Sequence, residues 1–399
     1  MQQSQKKQRV LMLLENNAYS KDVRVRQEAQ SLHKHGYNVT VICPKTKDEG
    51  FFIMNEGVRL YQFPSPPGGS GVIGYAVEYG YAMIVSFFMT LYIFLRHGFD
   101  IIHAHNPPDT FFLLALLYRP LGKKFIYDHH DLSPELYYYS RFGGGGNKKM
   151  YQLLTTLENA SCRTAHHVIA TNESYRDIEM TRAGVPAERI SIVRNGPKTD
   201  HLHPLDRAEN PEQTPITIGY LGIMAVQDGV DNLLMSIHHL VNDFSRTDFR
   251  CLIVGSGSAL DDLKAQAKTL NLDAYVQFIG WIPYSEVNTY LNQFDICVAP
   301  EIANEYTERC TMIKMMEYMA VARPIVAFDL IEHRRTAEDA ALYAADNNPR
   351  LMAEHIVALM DDPQRREKMG EIGRDRIENV LSWAHQEKSL LKAYQSLEN

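Results

Sequence analysis

The sequence predicts two doubly wound, Rossmann-like α/β domains, and three observations carry that reading. At 399 residues the chain is too long for one compact core. An apolar run at 10–14, a polar loop at 15–22, a helical stretch at 23–35 and a second apolar run at 37–43 have the spacing of a βαβ unit. A second opening of the same kind starts at 216–222, after a polar, proline-bearing linker at 197–215. Hydrophobic content of 45% and charged content of 22% are those of a globular protein, and a formal charge of -7 argues against a nucleic-acid partner. The five cysteines are scattered, without Cys-x-x-Cys spacing, so neither a disulfide framework nor a zinc site is predicted and a reducing cytoplasm fits best. The polar start MQQSQKKQR with its short apolar run reads as a first strand and not as a signal peptide.

Taken in order, the loop after the first strand lacks the three-glycine dinucleotide fingerprint, which counts against a nicotinamide enzyme. A third strand is expected at 58–63, followed by a turn-rich stretch. Residues 72–95 come next, almost wholly apolar and long enough to cross a membrane. The strands on either side belong to one sheet, however, and a spanning helix would separate them. The segment is therefore expected to make partial contact with the membrane interface, with Tyr75, Tyr79, Tyr81 and Tyr92 at headgroup level; a buried core helix is the alternative.

Two short strands then end in polar residues, His105-Asn-Pro-Pro-Asp109 and Asp128-His-His130-Asp131. Ligands of open α/β sheets bind at the carboxyl ends of strands, so these two ends define one edge of a site. Gly143–Gly146 is a glycine run without a P-loop context and reads as a flexible loop. Helices and strands alternate to residue 196. The predicted division is 1–196, a linker at 197–215, a second domain at 216–381 and a final amphipathic helix at 382–399.

In the second domain the stretch from Ala299 to Leu330 is central. It reads as strand end, acidic loop, helix and strand. Thr311 is the expected N-cap. Met312, Met315, Met316 and Met319 form a buried stripe, and Lys314 and Glu317 share another face. Exposed N–H groups at such a helix start, beside a lysine, hold a phosphate. Glu317, one turn on, would accept hydrogen bonds from paired sugar hydroxyls. Without further context the Lys314–Glu317 pair is an ordinary surface ion pair.

Several strings supply context. Lys314-Met-Met-Glu317-Tyr-Met-Ala-x-x-Arg-Pro324-Ile-Val-Ala327 resembles the donor-binding helix and following strand of retaining GT-B glycosyltransferases, the large family that includes sucrose synthase. HNPPD and DHHDLSPE resemble a bacterial subgroup that builds surface polysaccharides, often on lipid carriers. Asp22-Val-Arg24-Val-Arg26, the Arg194-Asn195-Gly196 turn, Gly255-Ser-Gly257 and Val276–Trp281 extend the resemblance over nearly the whole chain.

The resemblance implies two domains facing each other across a cleft and transfer of a sugar from a nucleotide-diphosphate sugar to a saccharide or lipid-linked saccharide. It further implies retention of configuration, no cofactor beyond the donor, no catalytic metal, and action at the cytoplasmic face of the membrane. The donor would lie against Gly222, Asp228, Gly229, Gly255, Gly280, Trp281, Thr311, Met312, Lys314 and Glu317. His130 matches a histidine facing the donor sugar, and Arg24 and Arg26 would face the cleft.

Two departures matter. The loop at 227–229 lacks the usual basic residues. The first of two family glutamates eight apart falls on Arg309, leaving Glu305 and Glu308 as catalytic candidates with Glu301 as a further alternative. Alanine at 322, where glycine is usual, implies φ < 0 or modest strain. A sugar-nucleotide epimerase of the same architecture and a non-catalytic, membrane-docked binding subunit remain as rival readings.

Overall fold

The computed structural model describes residues 8–46, 50–65, 71–141, 145–206 and 215–397. The start of the glycine run, residues 207–214 of the linker and the side chain of Tyr75 lie outside them. The chain divides into two compact units, one gathering Met1–Tyr138, Gly145–Arg194 and Glu387–Asn399, the other Tyr139–Gly144 and Asn195–Gln386.

The first unit is built on strands β1 (Arg9–Leu13), β2 (Asn38–Pro44), β3 (Phe52–Asn55), β4 (Val58–Phe63), β5 (Ile101–His105), β6 (Lys124–His129), β7 (His167–Ala170) and β8 (Ile190–Ile192). Their order is β3-β4-β2-β1-β5-β6-β7-β8. All pairings are parallel except that of β3 with β4. Parallel strands covered on both faces carry continuous apolar runs, and Val10 to Leu13 are accordingly buried. The order reverses between β1 and β5, which makes their carboxyl ends the favoured place for a ligand.

The long helix Gly71–Arg96 connects β4 to β5 within this one sheet. It therefore does not cross a bilayer. One side, with Ala82, Ser86, Met89, Thr90 and Ile93, is buried. Ile84, Phe88, Leu91 and Leu95, spaced to share the other side, stay exposed, Phe88 at 63% and Leu95 at 77%. A wholly buried core helix is thus excluded. The final helix, Trp383–Gln395, brings Tyr394 to the first unit, where its hydroxyl lies 2.8 Å from His103 Nδ1.

The second unit holds β9 (Ile216–Leu221), β10 (Phe249–Val254), β11 (Val276–Gly280), β12 (Ile296–Ala299), β13 (Ile325–Phe328) and β14 (Ala341–Ala344), in the order β11-β10-β9-β12-β13-β14. Here the order reverses between β9 and β12. Helix Ile313–Ala320 follows β12 and buries Met315, Met316 and Met319 completely. It stops at Ala322, whose φ of 55° is left-handed, so the strained of the two expected conformations is the one adopted.

Candidate active site

The second unit gathers one group of candidate residues at the carboxyl ends of β9 and β12. Thr311 is not the N-cap: that position belongs to Met312, without a side-chain cap bond, and the Thr311 hydroxyl instead donates to Glu332 at 3.2 Å. The first-turn N–H groups of the helix are therefore left without a side-chain cap. Lys314 does not lie open on the surface; only 8% of it is exposed. Its Nζ donates to the Tyr220 hydroxyl at 2.8 Å and to Glu301, and sits 3.5 Å from Asp228 Oδ1. Burial works against charge on Lys314, but Glu301, Tyr220 and Asp228 outweigh it and hold the ammonium firmly protonated. One cation thus faces two carboxylates, and burial in turn raises the Asp228 carboxyl against the pull of Lys314.

Glycines shape the wall around this lysine. A Cβ on Gly222 would come within 3.0 Å of Lys314 Cε, so the backbone there runs directly over the side chain. Gly255 has φ of 131°, and a Cβ on it would lie 1.8 Å from the Gly222 carbonyl, so only glycine lets the two strand ends converge. Its N–H donates to Gly280 O at 2.8 Å, placing Trp281, 74% exposed, at the same end of the sheet. Asp228 caps its own loop by accepting from the Ala225 N–H at 3.1 Å, and Gly229 abuts the Pro300 carbonyl. Glu317 is half-buried on the Lys314 helix; desolvation pushes its carboxyl up to about 7, with Lys314 pulling the other way.

The three acidic candidates separate clearly. Glu305 pairs with Arg309 at 2.9 Å, more than half exposed. Glu308 accepts the Ile331 N–H at 2.7 Å, capping a neighbouring helix. Neither is brought to Lys314. Glu301 is, fully buried, with its second oxygen 3.8 Å from His333 Nε2 and without a hydrogen-bond partner among the described residues. Its signal in the sequence was its place directly after the strand, in Pro300-Glu301. Tyr220 had no signal beyond lying in β9.

In the first unit the ends of β5 and β6 are tied together by Asn106. Its Oδ1 accepts the N–H of His130 at 2.8 Å and of Asp131 at 3.1 Å, while Nδ2 donates to Asp109 at 3.0 Å. Asp128 beneath them is fully buried and gripped by Arg24 through two bonds of 2.7 Å, with His105 Nδ1 also at 2.7 Å. Arg24 is therefore a buried counter-ion and not a free cleft residue; Arg26 turns back to the Ser20 carbonyl at 3.0 Å. His130 keeps 12% side-chain exposure, with Nδ1 3.5 Å from Asp128 Oδ2. Burial opposes charge on its imidazole, but Asp128 and Asp131 outweigh that and raise it above its ordinary value.

His129 points to the opposite face, as alternation along a strand requires. It is fully buried between Glu179 at 3.0 Å and Glu158 at 3.3 Å, and Arg182 bridges Glu158 to Glu135. It is no neutral neighbour of His130.

Comparison with known proteins bears on the whole chain. The family model for glycosyltransferase family 4 matches residues 22–201, and that for glycosyl transferases group 1 matches 215–362. The chain belongs to the GT-B glycosyltransferases. An alpha-maltose-1-phosphate synthase from Mycolicibacterium smegmatis is 25% identical over 71% of this chain and 75% of its own. The fold of this glycosyltransferase is that of sucrose-phosphate synthase from Thermosynechococcus elongatus, with a TM-score of 0.78 at 17% identity over 98% and 99% of the two chains. Anabaena HepE, solved in complex with UDP, superposes with a TM-score of 0.72 at 15% identity over 97% and 100%.

Proposed function

We propose that this glycosyltransferase takes its sugar from a nucleotide-diphosphate sugar and passes it, with retention, to a saccharide or lipid-linked saccharide. The observation that carries the donor assignment is the buried Lys314, held against Gly222 at the start of helix Ile313–Ala320. A diphosphate fits that place because the lysine and the helix N–H groups both favour negative charge. UDP in HepE makes a uridine donor the first to try. Binding would draw Lys314 from Glu301 to the leaving phosphate, which frees a carboxylate next to the donor. Glu301 thus takes the role first assigned to Glu305 and Glu308. Glu317 would accept from paired hydroxyls, and the backbone at Gly280 and Trp281 would seat the base. Asp228 and Gly229 would shape the loop under the phosphates, with N–H groups following Thr311 and Met312 completing the cradle.

On this reading His130 donates a hydrogen bond where negative charge gathers on the donor, oriented by Asp128 and by Asn106 through the backbone. As the C1–O bond to the phosphate breaks, the acceptor oxygen bonds to C1 on the same face. Its hydroxyl proton passes to the departing phosphate. Incubation with a panel of nucleotide sugars tests this. Slow release of nucleoside diphosphate without acceptor is expected; an epimerised sugar nucleotide as the sole product would identify the epimerase instead, and no turnover with any donor would favour the binding subunit.

The exposed row Ile84, Phe88, Leu91 and Leu95 supports peripheral contact with a membrane carrying the acceptor. Flotation with anionic phospholipid vesicles should carry the protein upward, and Phe88→Ser with Leu95→Ser should abolish that while leaving Tm unchanged. A fall in Tm in place of lost flotation would assign the row to packing.

A further inference from the structure

Behind the Arg24–Asp128 pair lies a buried cluster that the transfer reaction does not use. We propose that Glu28, His103 and His105 bind one divalent cation of the zinc class. His103 and His105 are two apart on β5 and so share a face; their rings stack at 4.3 Å. Glu28 reaches them from helix Val23–Lys34, and all three residues are fully buried.

The protons decide what this cluster lacks. His105 Nδ1 lies 2.7 Å from a carboxylate oxygen of Asp128, which is held ionised by Arg24 and can only accept. The ring therefore carries its proton on Nδ1 and presents a bare lone pair at Nε2. His103 Nδ1 lies 2.8 Å from the Tyr394 hydroxyl, which can donate or accept; where it accepts, His103 too presents a bare Nε2. Both Nε2 atoms aim at Glu28 Oε2, from 3.7 Å and 3.9 Å, too far for a hydrogen bond. Neither Nε2 and neither Glu28 oxygen has a hydrogen-bond partner among the described residues. With His103 in the same tautomer as His105, electron-rich atoms converge in a dry interior without a donor between them and repel, and a cation among them removes that cost.

The dimensions fit. Ligands at about 2.0–2.1 Å from a tetrahedral zinc stand roughly 3.3 Å apart, so the two Nε2–Glu28 Oε2 separations of 3.7 Å and 3.9 Å need to close by about half an ångström. With Asp128 included, the four ligand atoms all lie within 4.8 Å of one another. Asp128 also gives His105 the carboxylate–histidine support that metal-binding imidazoles ordinarily have. The opposing charge is Arg24, whose Nη2 is 3.3 Å from Glu28 Oε1. It is matched by Asp128 and stands on the Oε1 side, leaving Oε2 to the imidazoles. Such an ion would tie helix Val23–Lys34 to β5 and, through Asp128, steady the strand end that carries His130. Its role is structural, and it stands whether or not the donor assignment is right.

The rival arrangement is a proton on Glu28, which burial and Asp128 favour in the absence of a cation. The full chain, stripped with chelator and dialysed, is titrated with zinc and separately with cobalt. Binding of one equivalent with a rise in Tm is expected, weakened at least about 10- to 100-fold in Glu28→Gln, the loss typical of disturbing a metal site's support. A variant with His238→Asn and His239→Asn, which removes a half-buried histidine pair in the second unit, should bind as the wild type does. No stoichiometric binding, or equal binding by Glu28→Gln, overturns the proposal, as does a Glu28→Gln protein more stable than a metal-indifferent wild type. Should Glu28→Gln not fold, cobalt d–d bands of nitrogen ligation at one equivalent in the His238→Asn, His239→Asn protein decide for the site, and their absence against it.

Discussion

The two units hold charge at the ends of parallel strands in opposite ways. The first closes its charges on one another: Arg24 on Asp128, His129 between Glu158 and Glu179, Arg182 across Glu158 and Glu135. The second leaves a single ammonium, Lys314, facing two carboxylates, Glu301 and Asp228. A closed network is rigid and costly to break, because removing one partner strands a buried charge. An unbalanced cluster can exchange one partner for another. On the proposed function, the first is a scaffold that positions His130 and the second a cluster that rearranges when an anion arrives.

The largest effect expected is at His129. Deleting one member of a buried ion pair typically costs about 3–5 kcal/mol, so His129→Ala should lower the stability of the first unit severely. The pH dependence has a definite sign. Burial opposes the charge, yet Glu158 and Glu179 raise the imidazole from its ordinary 6.5 to about 10. A group raised on folding stabilises fully below its unfolded value and loses that contribution as pH rises through the folded one. Stability of the first unit should therefore fall between about pH 6.5 and pH 10. Glu179, raised by burial to about 7, adds a loss between its ordinary 4.5 and that value. Thermal melts of wild type and His129→Gln across this range check the claim; a wild type with a flat profile would break the picture of a closed charged network.

Next is His130, one residue along and on the other face. Losing one preorganised donor costs about 10²–10³ in rate, so His130→Ala should lower turnover by that factor with little change in Tm or in UDP affinity. A large drop in Tm with full activity per folded molecule would make His130 another member of the scaffold.

These contrasts show what was legible in the sequence. The βαβ spacing, the polar strand ends and the Met stripe follow from local periodicity, and they predicted the elements that carry the candidate residues of each unit. The edge strand β3 was missed because Phe52–Asn55 alternates poorly and is mostly exposed. Its turn at Glu56-Gly57, with φ of 47° and 84°, was nonetheless a hairpin signal. The partners of charged groups were the least readable. Arg24 lies 104 residues from Asp128 and Lys314 lies 94 from Tyr220, so only the folded chain decides which arginine is buried. Which of Glu301, Glu305 and Glu308 lies beside Lys314 was unreadable for the same reason. Spacing along a loop does not say which carboxylate turns inward, and the two nearest the missing family glutamate turned to Arg309 and to Ile331.

In the second unit Lys314→Ala should weaken UDP much more than uridine. A charge-assisted contact is worth about 1.5–3 kcal/mol, roughly tenfold or more by calorimetry, and equal losses for both ligands would remove the phosphate role. Glu301→Gln sharpens the same point in the other direction. With the competing carboxylate neutral, UDP should bind up to about tenfold tighter, while the free protein melts lower because a buried lysine has lost its partner. Weaker UDP binding by Glu301→Gln would mean that Glu301 positions Lys314 and does not hold its place.

The smallest effect asks where the second unit keeps its capacity to rearrange. Ala322 ends the Lys314 helix with φ of 55°, while its N–H donates to Met319 O at 3.0 Å and its carbonyl is packed against Gly370. A left-handed alanine costs about 1–2 kcal/mol, and Ala322→Gly removes that strain. The gain is partly cancelled because glycine loosens the unfolded chain by about 0.4–1 kcal/mol. A net stabilisation of order 0.5 kcal/mol is expected, a rise in Tm of a degree or two for a domain of this size. If the ability to rearrange resides in the Lys314 side-chain cluster, relieving the backbone at the far end of the helix should leave UDP affinity unchanged. A change in affinity accompanying the higher Tm would instead show that the helix moves as a body when the anion binds, and that the strain at Ala322 is part of how the second unit responds.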